Sequence, residues 1–181
     1  MSHNAIFGGV QLALASMLLL AAFAIAAAPL PCDVYEAAGT PCVAAHSVVR
    51  ALYKEYTGAL YTVRRADNAT KDIGVVGGFA DSTAQDAFCE GTTCTIDRVL
   101  DQSKKLNHLT SCKSSRCSKQ VNATKDKLTV GGHSVYSAYF EGEMGYRNDK
   151  TTGIATGDEA ESIYMVASGT HYSDKCCFDY G

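Results

Sequence analysis

The sequence predicts a mostly-β fold, a β-sandwich with short helical insertions. The chain has 181 residues and is 46% apolar, which is enough for one core of ordinary size. Its second half is a series of short alternating segments separated by Gly, Asn, Asp and Thr turns, a pattern typical of sandwiches. Since no repeat, low-complexity segment or linker divides the chain, we expect one domain.

The amino terminus predicts a cleaved signal peptide over residues 1–26. The first 31 residues contain no Lys, Arg, Asp or Glu, and one almost wholly apolar run spans residues 12–28. Ala24 and Ala26 form an A-x-A cleavage site, so the mature protein is expected to be secreted, extracellular and free of the membrane. An uncleaved anchor is the alternative, although the run is shorter than the roughly 20 residues that a spanning helix needs.

Two segments have helical patterns. In "VAAHSVVRALYKEY", residues 43–56, the apolar positions fall on one helical face, and Thr57 followed by Gly58 ends the pattern. Ser82, followed three residues later by Gln85, resembles a capping box. We therefore predict a second short helix that leads into Cys89.

Alternating segments predict the strands. Paired glycines interrupt "IGVVGGFA", and a second pair, Gly131 and Gly132, joins two strands in "KLTVGGHSVYSAYF". Strands are also predicted for "ALYTVRR" (59–65), "CTIDRVL" (94–100) and "AESIYMVASG" (160–169).

The eight cysteines indicate disulfides, because a secreted chain enters an oxidising compartment and an even count permits complete pairing. Eight cysteines allow about 105 connectivities, so spacing suggests partners without fixing them. One alternative pairs Cys176 and Cys177 with Cys112 and Cys117 instead of with each other. The pairs that spacing suggests are Cys32 with Cys42, Cys89 with Cys94, Cys112 with Cys117, and Cys176 with Cys177.

Two N-x-T sequons lie in polar stretches that read as surface loops. They begin at Asn68 and Asn122, and glycosylation is expected at both in a secreted protein. The formal net charge is -3 and the basic residues are scattered along the sequence, so no nucleic-acid partner is expected.

No local motif identifies a catalytic or metal site. The sequence has no G-x-S-x-G, P-loop, H-E-x-x-H or G-x-G-x-x-G helix start, and no Cys or His spacing suited to zinc, so neither metal nor cofactor is predicted. For the acidic residues and for His108 and His171, a solvated or hydrogen-bonded structural role is the expectation. The acidic residues concerned are Glu141, Glu143, Asp158, Glu159, Glu161 and Asp179.

Four blocks in the correct order resemble the amino-terminal part of the catalytic domain of fungal-type α-L-arabinofuranosidase B enzymes, glycoside hydrolase family 54. The blocks cover most of residues 31–181, and the resemblance assigns residues 27–181 to that domain, a lectin-like or concanavalin-like β-sandwich. They read "PCDVYEAAGTPCVAAHS" with "RALY", "GGFADSTAQDAFC", "DQSKKLNHLT", and "GYRNDKTTGIATGDEAESIYMVASGTHYSDKCCFDYG".

The resemblance implies a monomeric retaining glycosidase that removes terminal arabinofuranosyl units from plant cell-wall arabinan and arabinoxylan. It implies the Cys32–Cys42 and Cys89–Cys94 bonds, and a Cys176–Cys177 bond that forms part of the substrate-binding surface. Both catalytic carboxylates, as nucleophile and acid/base, are expected beyond Gly181. The chain is therefore expected to be a truncated domain without catalytic residues of its own.

The sequence departs from the family pattern at two places, and two alternative functions stay open. Lys104, Lys105 and Leu106 replace a glycine-rich turn, and residues 111–126 match the family poorly. The alternatives are a catalytically dead, lectin-like secreted carbohydrate-binding protein and a small disulfide-rich structural protein that keeps only the scaffold.

Overall fold

The computed structural model describes residues 28–114 and 117–171, which fold around one five-stranded antiparallel sheet. The strand order in this sheet is β2-β1-β5-β6-β9, and β3-β4 and β7-β8 form two separate hairpins. In chain order the elements are α1 (Pro31–Ala37), β1 (Tyr61–Arg65), β2 (Thr70–Ile73), β3 (Val75–Val76), β4 (Phe79–Ala80), α2 (Ser82–Cys89), β5 (Cys94–Val99), β6 (Leu109–Ser111), β7 (Lys127–Val130), β8 (His133–Tyr136) and β9 (Tyr146–Arg147).

The pairing of β1 with β5 contains a β-bulge. Thr62 pairs with Arg98 and Val63 pairs with Ile96, so Asp97 is an additional residue on β5. The bulge leaves Val63 and Ile96 on the buried face of the sheet.

The core lies on one face of the sheet, beneath α2 and the β7-β8 hairpin. The sheet contributes aromatic and β-branched side chains, which suit a half-buried pleated surface. Opposite them, α2, β8 and residues 121–123 supply the second layer. The buried cluster consists of Leu60, Tyr61, Val63, Ile73, Ala80, Cys89, Cys94, Ile96, Val99, Val121, Ala123 and Val135.

One polar pair is built into this core. The Tyr61 hydroxyl donates to Gln85 Oε1 over 2.5 Å, and Gln85 Nε2 donates to the Ala123 carbonyl over 2.6 Å. Gln85 is fully buried, and burial raises the pKa of Tyr61, so the phenol stays a donor. The pair joins β1, α2 and the segment before β7.

Helix α2 forms where predicted, but its capping differs from the predicted capping box. Asp81 is the N-cap, and its carboxylate accepts from the Ala84 N–H over 2.9 Å. The Ser82 hydroxyl instead donates to the Ser134 carbonyl over 2.7 Å, which attaches the helix to β8. The predicted roles of Ser82 and Gln85 were therefore wrong, since both side chains make tertiary contacts.

The predicted helix over residues 43–56 is wrong. Tertiary partners take the backbone groups that a helix would pair internally. The Ala45 N–H donates to Asp101 over 2.7 Å, the Leu52 N–H donates to Gln102 over 2.7 Å, and the Ala51 N–H donates to the Gly78 carbonyl over 2.9 Å. The apolar periodicity reflects burial of a non-helical segment against the sheet.

A short helix that the sequence analysis missed, α1, precedes that segment. Pro31 occupies its first turn, where the missing N–H carries little cost. Asp33 accepts from the Leu30 N–H over 2.9 Å and, outside the helix, from the Lys54 N–H over 3.0 Å. The Asp33 carboxylate therefore also holds the end of the non-helical segment.

The strand predictions are confirmed for "ALYTVRR", "CTIDRVL" and the hairpin around Gly131 and Gly132. Gly77 and Gly78 form the predicted break, with φ of 60° and 85°, angles that favour glycine. The strand predicted over residues 160–169 is wrong, because no strand of the described chain lies beside it.

The predicted fold class is confirmed: the chain is mostly β, with the layered arrangement of a β-sandwich and short helices. The longer of the two described helices, α2, has eight residues. None of the helices described here is long and apolar enough to cross a membrane.

Replacing Ile96 tests the position of the core. Ile96→Ala removes a buried side chain between two layers and is expected to lower the free energy of unfolding by about 2–5 kcal/mol. Ile163→Ala is the matched control, because Ile163 is exposed, and its effect is expected within about 0.5 kcal/mol. Urea unfolding with intact disulfides measures both. Equal losses would contradict this core.

Candidate functional site

The structure joins three local cysteine pairs. Their Cα atoms lie 5.5 to 5.8 Å apart, within the usual disulfide range. Cys176 and Cys177, the predicted substrate-binding residues, lie outside the described residues, as do Asp179 and the predicted signal peptide. The joined pairs are Cys32–Cys42, Cys89–Cys94 and Cys112–Cys117.

Residues 148–171, here called the terminal strap, lead along the chain towards the two cysteines. The strap contains no helix or strand, and most of its residues are exposed. Its start is fixed by Asn107, which donates through Nδ2 to the Thr152 carbonyl over 3.0 Å. The Thr152 N–H returns a bond to Asn107 Oδ1 over 2.7 Å. One amide side chain thus replaces the backbone pairing of a strand.

Asn107 is itself held by the buried carboxylate of Asp101, which follows β5. Asp101 is 2% exposed. It accepts the N–H groups of Ala45, Ser103 and Asn107 over 2.7, 2.8 and 2.7 Å, and the Ser103 hydroxyl over 2.6 Å. Four donors satisfy a carboxylate that would be costly to bury without partners.

Gln102 and Asn107 extend this arrangement, and we call Asp101, Gln102, Ser103 and Asn107 the Asp101 network. Gln102 accepts from the Leu52 N–H over 2.7 Å and donates to the Arg50 carbonyl over 3.2 Å. Asn107 Nδ2 also donates to the carbonyl of Val43 over 2.8 Å. The network therefore ties the non-helical segment, the end of β5 and the terminal strap to one another.

Two histidines border the network as neutral hydrogen-bonding groups. His46 Nε2 lies 2.8 Å from the Asn107 carbonyl, which can only accept, so Nε2 carries the proton. Burial lowers the pKa of His46 and favours this neutral form. His108 Nδ1 accepts from the Asp101 N–H over 3.0 Å, in agreement with the structural role expected for His108.

Ring contacts hold the middle and the far end of the terminal strap. Tyr164 stacks on Tyr35 of α1 with centroids 6.2 Å apart. His171 stacks on Tyr139 with centroids 3.8 Å apart, and its Nε2 donates to the Phe140 carbonyl over 2.7 Å. The chain is therefore anchored at His171, five residues before Cys176.

Three of the sequence-predicted acidic residues have surface partners. Glu141 pairs with Lys125 and Glu143 pairs with Lys119, each with a nitrogen–oxygen distance of 2.5 Å. Glu159 accepts from the Thr156 N–H over 2.9 Å. These contacts match the solvated role expected for them. In the part of the chain that the structure describes, no cluster of His, Cys, Asp and Glu could hold a metal ion.

The described site therefore supplies a scaffold: a sheet, a buried network and an anchored strap. A family model described as "Alpha-L-arabinofuranosidase B, catalytic" matches residues 31–181. The chain belongs to this family. The resemblance that the four sequence blocks indicated is confirmed.

Two curated relatives show how much of such a protein the chain represents. It is 48% identical to a probable alpha-L-arabinofuranosidase B of Aspergillus fumigatus and 47% identical to alpha-L-arabinofuranosidase B of Aspergillus kawachii. Each match covers 83% of this chain and 32% of the relative. The chain thus spans about a third of the length of the curated relatives it matches.

Solved structures of arabinofuranosidases show the same fold. One is a crystal structure of an arabinofuranosidase complexed with arabinofuranosyl-alpha-1,2-xylobiose, and another is a glycoside hydrolase family 54 enzyme soaked with a cyclic sulfate inhibitor. Both match with a TM-score of 0.67 and 44% identity over 71% of this chain and 29% of theirs.

The Asp101 network is the feature that the sequence analysis missed. "DQSKKLNHLT" carried the family resemblance but received no structural role. The available signal was a run of hydrogen-bonding side chains, Asp101 to Ser103, directly after an alternating strand. Its partners at residues 43, 45, 50, 52 and 152 are distant in the sequence, so spacing could not identify them.

Truncating Asn107 tests its hold on the strap. Asn107→Ala removes three side-chain bonds and is expected to cost about 1–3 kcal/mol, because each neutral bond contributes about 1 kcal/mol. Tryptic cleavage after Lys150 should accelerate by about 5- to 150-fold if local opening limits cleavage. Asn148→Ala is the matched control, because within the described chain the Asn148 side chain only accepts from the Lys150 N–H. Equal cleavage rates for the two variants would refute this role.

Proposed function

We propose that this chain is the amino-terminal part of a secreted α-L-arabinofuranosidase catalytic domain. The domain would hydrolyse terminal non-reducing α-L-arabinofuranosyl units of arabinan and arabinoxylan with retention of configuration. The observation that carries the proposal is the family match over residues 31–181, together with relatives that bear this enzyme name.

In this proposal the chain supplies the scaffold and part of the sugar-binding surface, and other parts of the domain supply the reacting carboxyl groups. Retention requires two carboxyl groups about 5 to 5.5 Å apart, one as nucleophile and one as acid and then base. The family resemblance supports our proposal that both lie beyond Gly181. The carboxylates of Glu141 and Glu143 are engaged with surface lysines, which supports giving them no catalytic role.

The proposed sugar contact is a bond between Cys176 and Cys177. Adjacent Cα atoms lie about 3.8 Å apart, below the usual disulfide range of roughly 4.4 to 6.8 Å. So small a ring restricts the unfolded chain little, so stability alone does not account for it. A rigid apolar disulfide would suit the carbon face of a furanose ring beside polar hydroxyl-binding groups.

Contacts of the terminal strap, within the described residues, support this proposal. His171 is held by Tyr139 and Phe140, and Thr152 is held by Asn107. Both ends of the strap are therefore fixed, and the described chain is held as far as His171. Preorganisation of this kind reduces the entropy that substrate binding must overcome.

A catalytically dead, lectin-like carbohydrate-binding protein is the second candidate. It would use the same scaffold and the same cysteine pair without turnover. The relatives' names favour the enzyme over this alternative. Hydrolysis and binding assays on the same protein separate the two.

The proposed secretion leads to further proposals about glycosylation, signal-peptide removal and oligomeric state. Asn68 is exposed in the turn between β1 and β2, where a bulky glycan has room. Asn122 is half-buried, and its Oδ1 accepts from the Thr124 N–H over 3.0 Å. We propose that both are glycosylated, that residues 1–26 are removed, and that the mature protein is a monomer.

Peptide mapping of the secreted protein without reduction tests the processing proposals. We expect an amino terminus near Ala27, glycan on Asn68 and Asn122, and a peptide in which Cys176 and Cys177 are bonded to each other. Enzymatic glycan removal and mass measurement provide the readout. An intact Met1 in a membrane fraction, or a Cys176–Cys112 crosslink, would contradict the corresponding proposal.

Hydrolysis of 4-nitrophenyl α-L-arabinofuranoside tests the proposed function. We expect no measurable turnover by the 181-residue chain. Residues 27–181 fused to the rest of the Aspergillus kawachii domain should be active, because the fusion contains the expected carboxylate pair.

In that fusion, Cys176→Ala with Cys177→Ala should lower kcat/KM at least about tenfold, as expected for loss of an apolar pocket contact. The untouched fusion is the control. Sugar binding by a folded but inactive fusion would favour the lectin-like candidate. Turnover by the short chain at an enzyme-like rate would overturn the proposal.

A further inference from the structure

A polar groove of about 520 Å³ crosses the face of the five-stranded sheet opposite the core. Cross-strand pairing aligns Arg98 of β5 with Thr110 of β6, and Thr110 with Arg147 of β9. Paired residues share a face, and the neighbouring row from Tyr61 through Val99 to Leu109 packs into the core. The groove therefore lies on the outer face.

The groove has an excess of positive charge. Its lining includes four cations, from Arg64, Arg98, Lys113 and Arg147, and two carboxylates, from Asp97 and Asp149, so the local formal charge is 4 − 2 = +2. The whole chain has a formal net charge of -3. Arginines that are scattered along the sequence are thus brought together by strand pairing on an otherwise acidic protein.

Two of the arginines are held in place by the carboxylates. Asp97, the bulge residue, accepts from Arg64 Nε over 3.0 Å and from Arg64 Nη2 over 2.8 Å. Asp149 accepts from Arg147 Nε over 2.7 Å. These pairs fix the direction of two guanidinium groups and still leave N–H donors on each of them.

Among the residues that the structure describes, Arg98 makes only long contacts. Its Nε lies 3.9 Å from Asp97 Oδ2, and its Nη2 lies 3.4 Å from the Thr62 hydroxyl. The Arg98 side chain is 44% exposed. Its charge is therefore the least neutralised of the three guanidinium groups, and it lies between the two that are fixed.

We propose that this groove binds a uronate unit of an acidic polysaccharide. The planar guanidinium groups match a carboxylate in geometry, and the hydroxyls of Thr110 and Ser111 can bond to sugar hydroxyls. The volume falls within the roughly 300–1,000 Å³ typical of small-molecule sites. The site is independent of the proposed hydrolysis, since none of its residues belongs to that proposal.

Calorimetric titration with trigalacturonate tests this site. The wild-type chain is expected to bind it, and Arg98→Gln with Arg147→Gln should weaken binding about tenfold or more, because bonds to charged groups are worth about 1.5–3 kcal/mol. Arg147→Gln alone, at a side chain that is 57% exposed, provides a milder variant should the double variant unfold.

Lys54→Gln with Lys104→Gln is the matched control, because it removes the same charge from exposed positions outside the groove. Its affinity should stay within about twofold of the wild type. Equal weakening by both double variants would show general charge attraction and overturn the proposal. So would equal affinity for a neutral trisaccharide, equal affinity for inorganic phosphate, or no binding by the wild type.

Discussion

A buried carboxylate must be given hydrogen bonds, and in this protein that requirement on Asp101 organises much of the chain. Its four donors come from the segment before β1, from the turn after β5, and from Asn107. Losing one partner would leave a charged group under-satisfied in the interior, which costs more than an ordinary surface contact. The segment over residues 43–56, the end of β5 and the strap are consequently held in one arrangement by a single side chain and its neighbours.

The apolar core and the Asp101 network serve different purposes. The core under α2 is formed by apolar side chains, whose packing does not depend on the direction of a hydrogen bond. Gln85 and Tyr61 form a polar pair inside it. The network instead makes directional hydrogen bonds to backbone N–H and C=O groups, so it can hold segments that have no regular structure. The irregular segments of this chain need the second kind of fixation, because a loop without paired backbone groups is otherwise free to open.

Local patterns were sufficient where a segment's structure depends on its own neighbours in sequence. The alternation in β1 and β5 correctly predicted these strands, and the paired glycines correctly predicted the break at residues 77–78 and the hairpin at residues 131–132. The same reasoning failed for residues 43–56 and 160–169, since the first depends on side chains more than 50 residues away and the second lacks a neighbouring strand. The Asp101 network could not be predicted from the sequence, because Asp101 and Thr152 are connected through Asn107 by folding and by nothing in their spacing.

The bulge at Asp97 bears on how the chain can change in evolution. Thr62 pairs with Arg98 and Val63 with Ile96, so deletion of Asp97 would leave a regular ladder with every inward side chain still inward. An inserted or deleted residue elsewhere in β5 would reverse the faces on one side of it, and Cys94 would turn away from Cys89. Loss of this one residue therefore leaves the two faces of the strand unchanged, next to the groove that Asp97 and Arg98 line. One of the two acidic residues of the groove, Asp97, can be gained or lost there without any compensating change in the core.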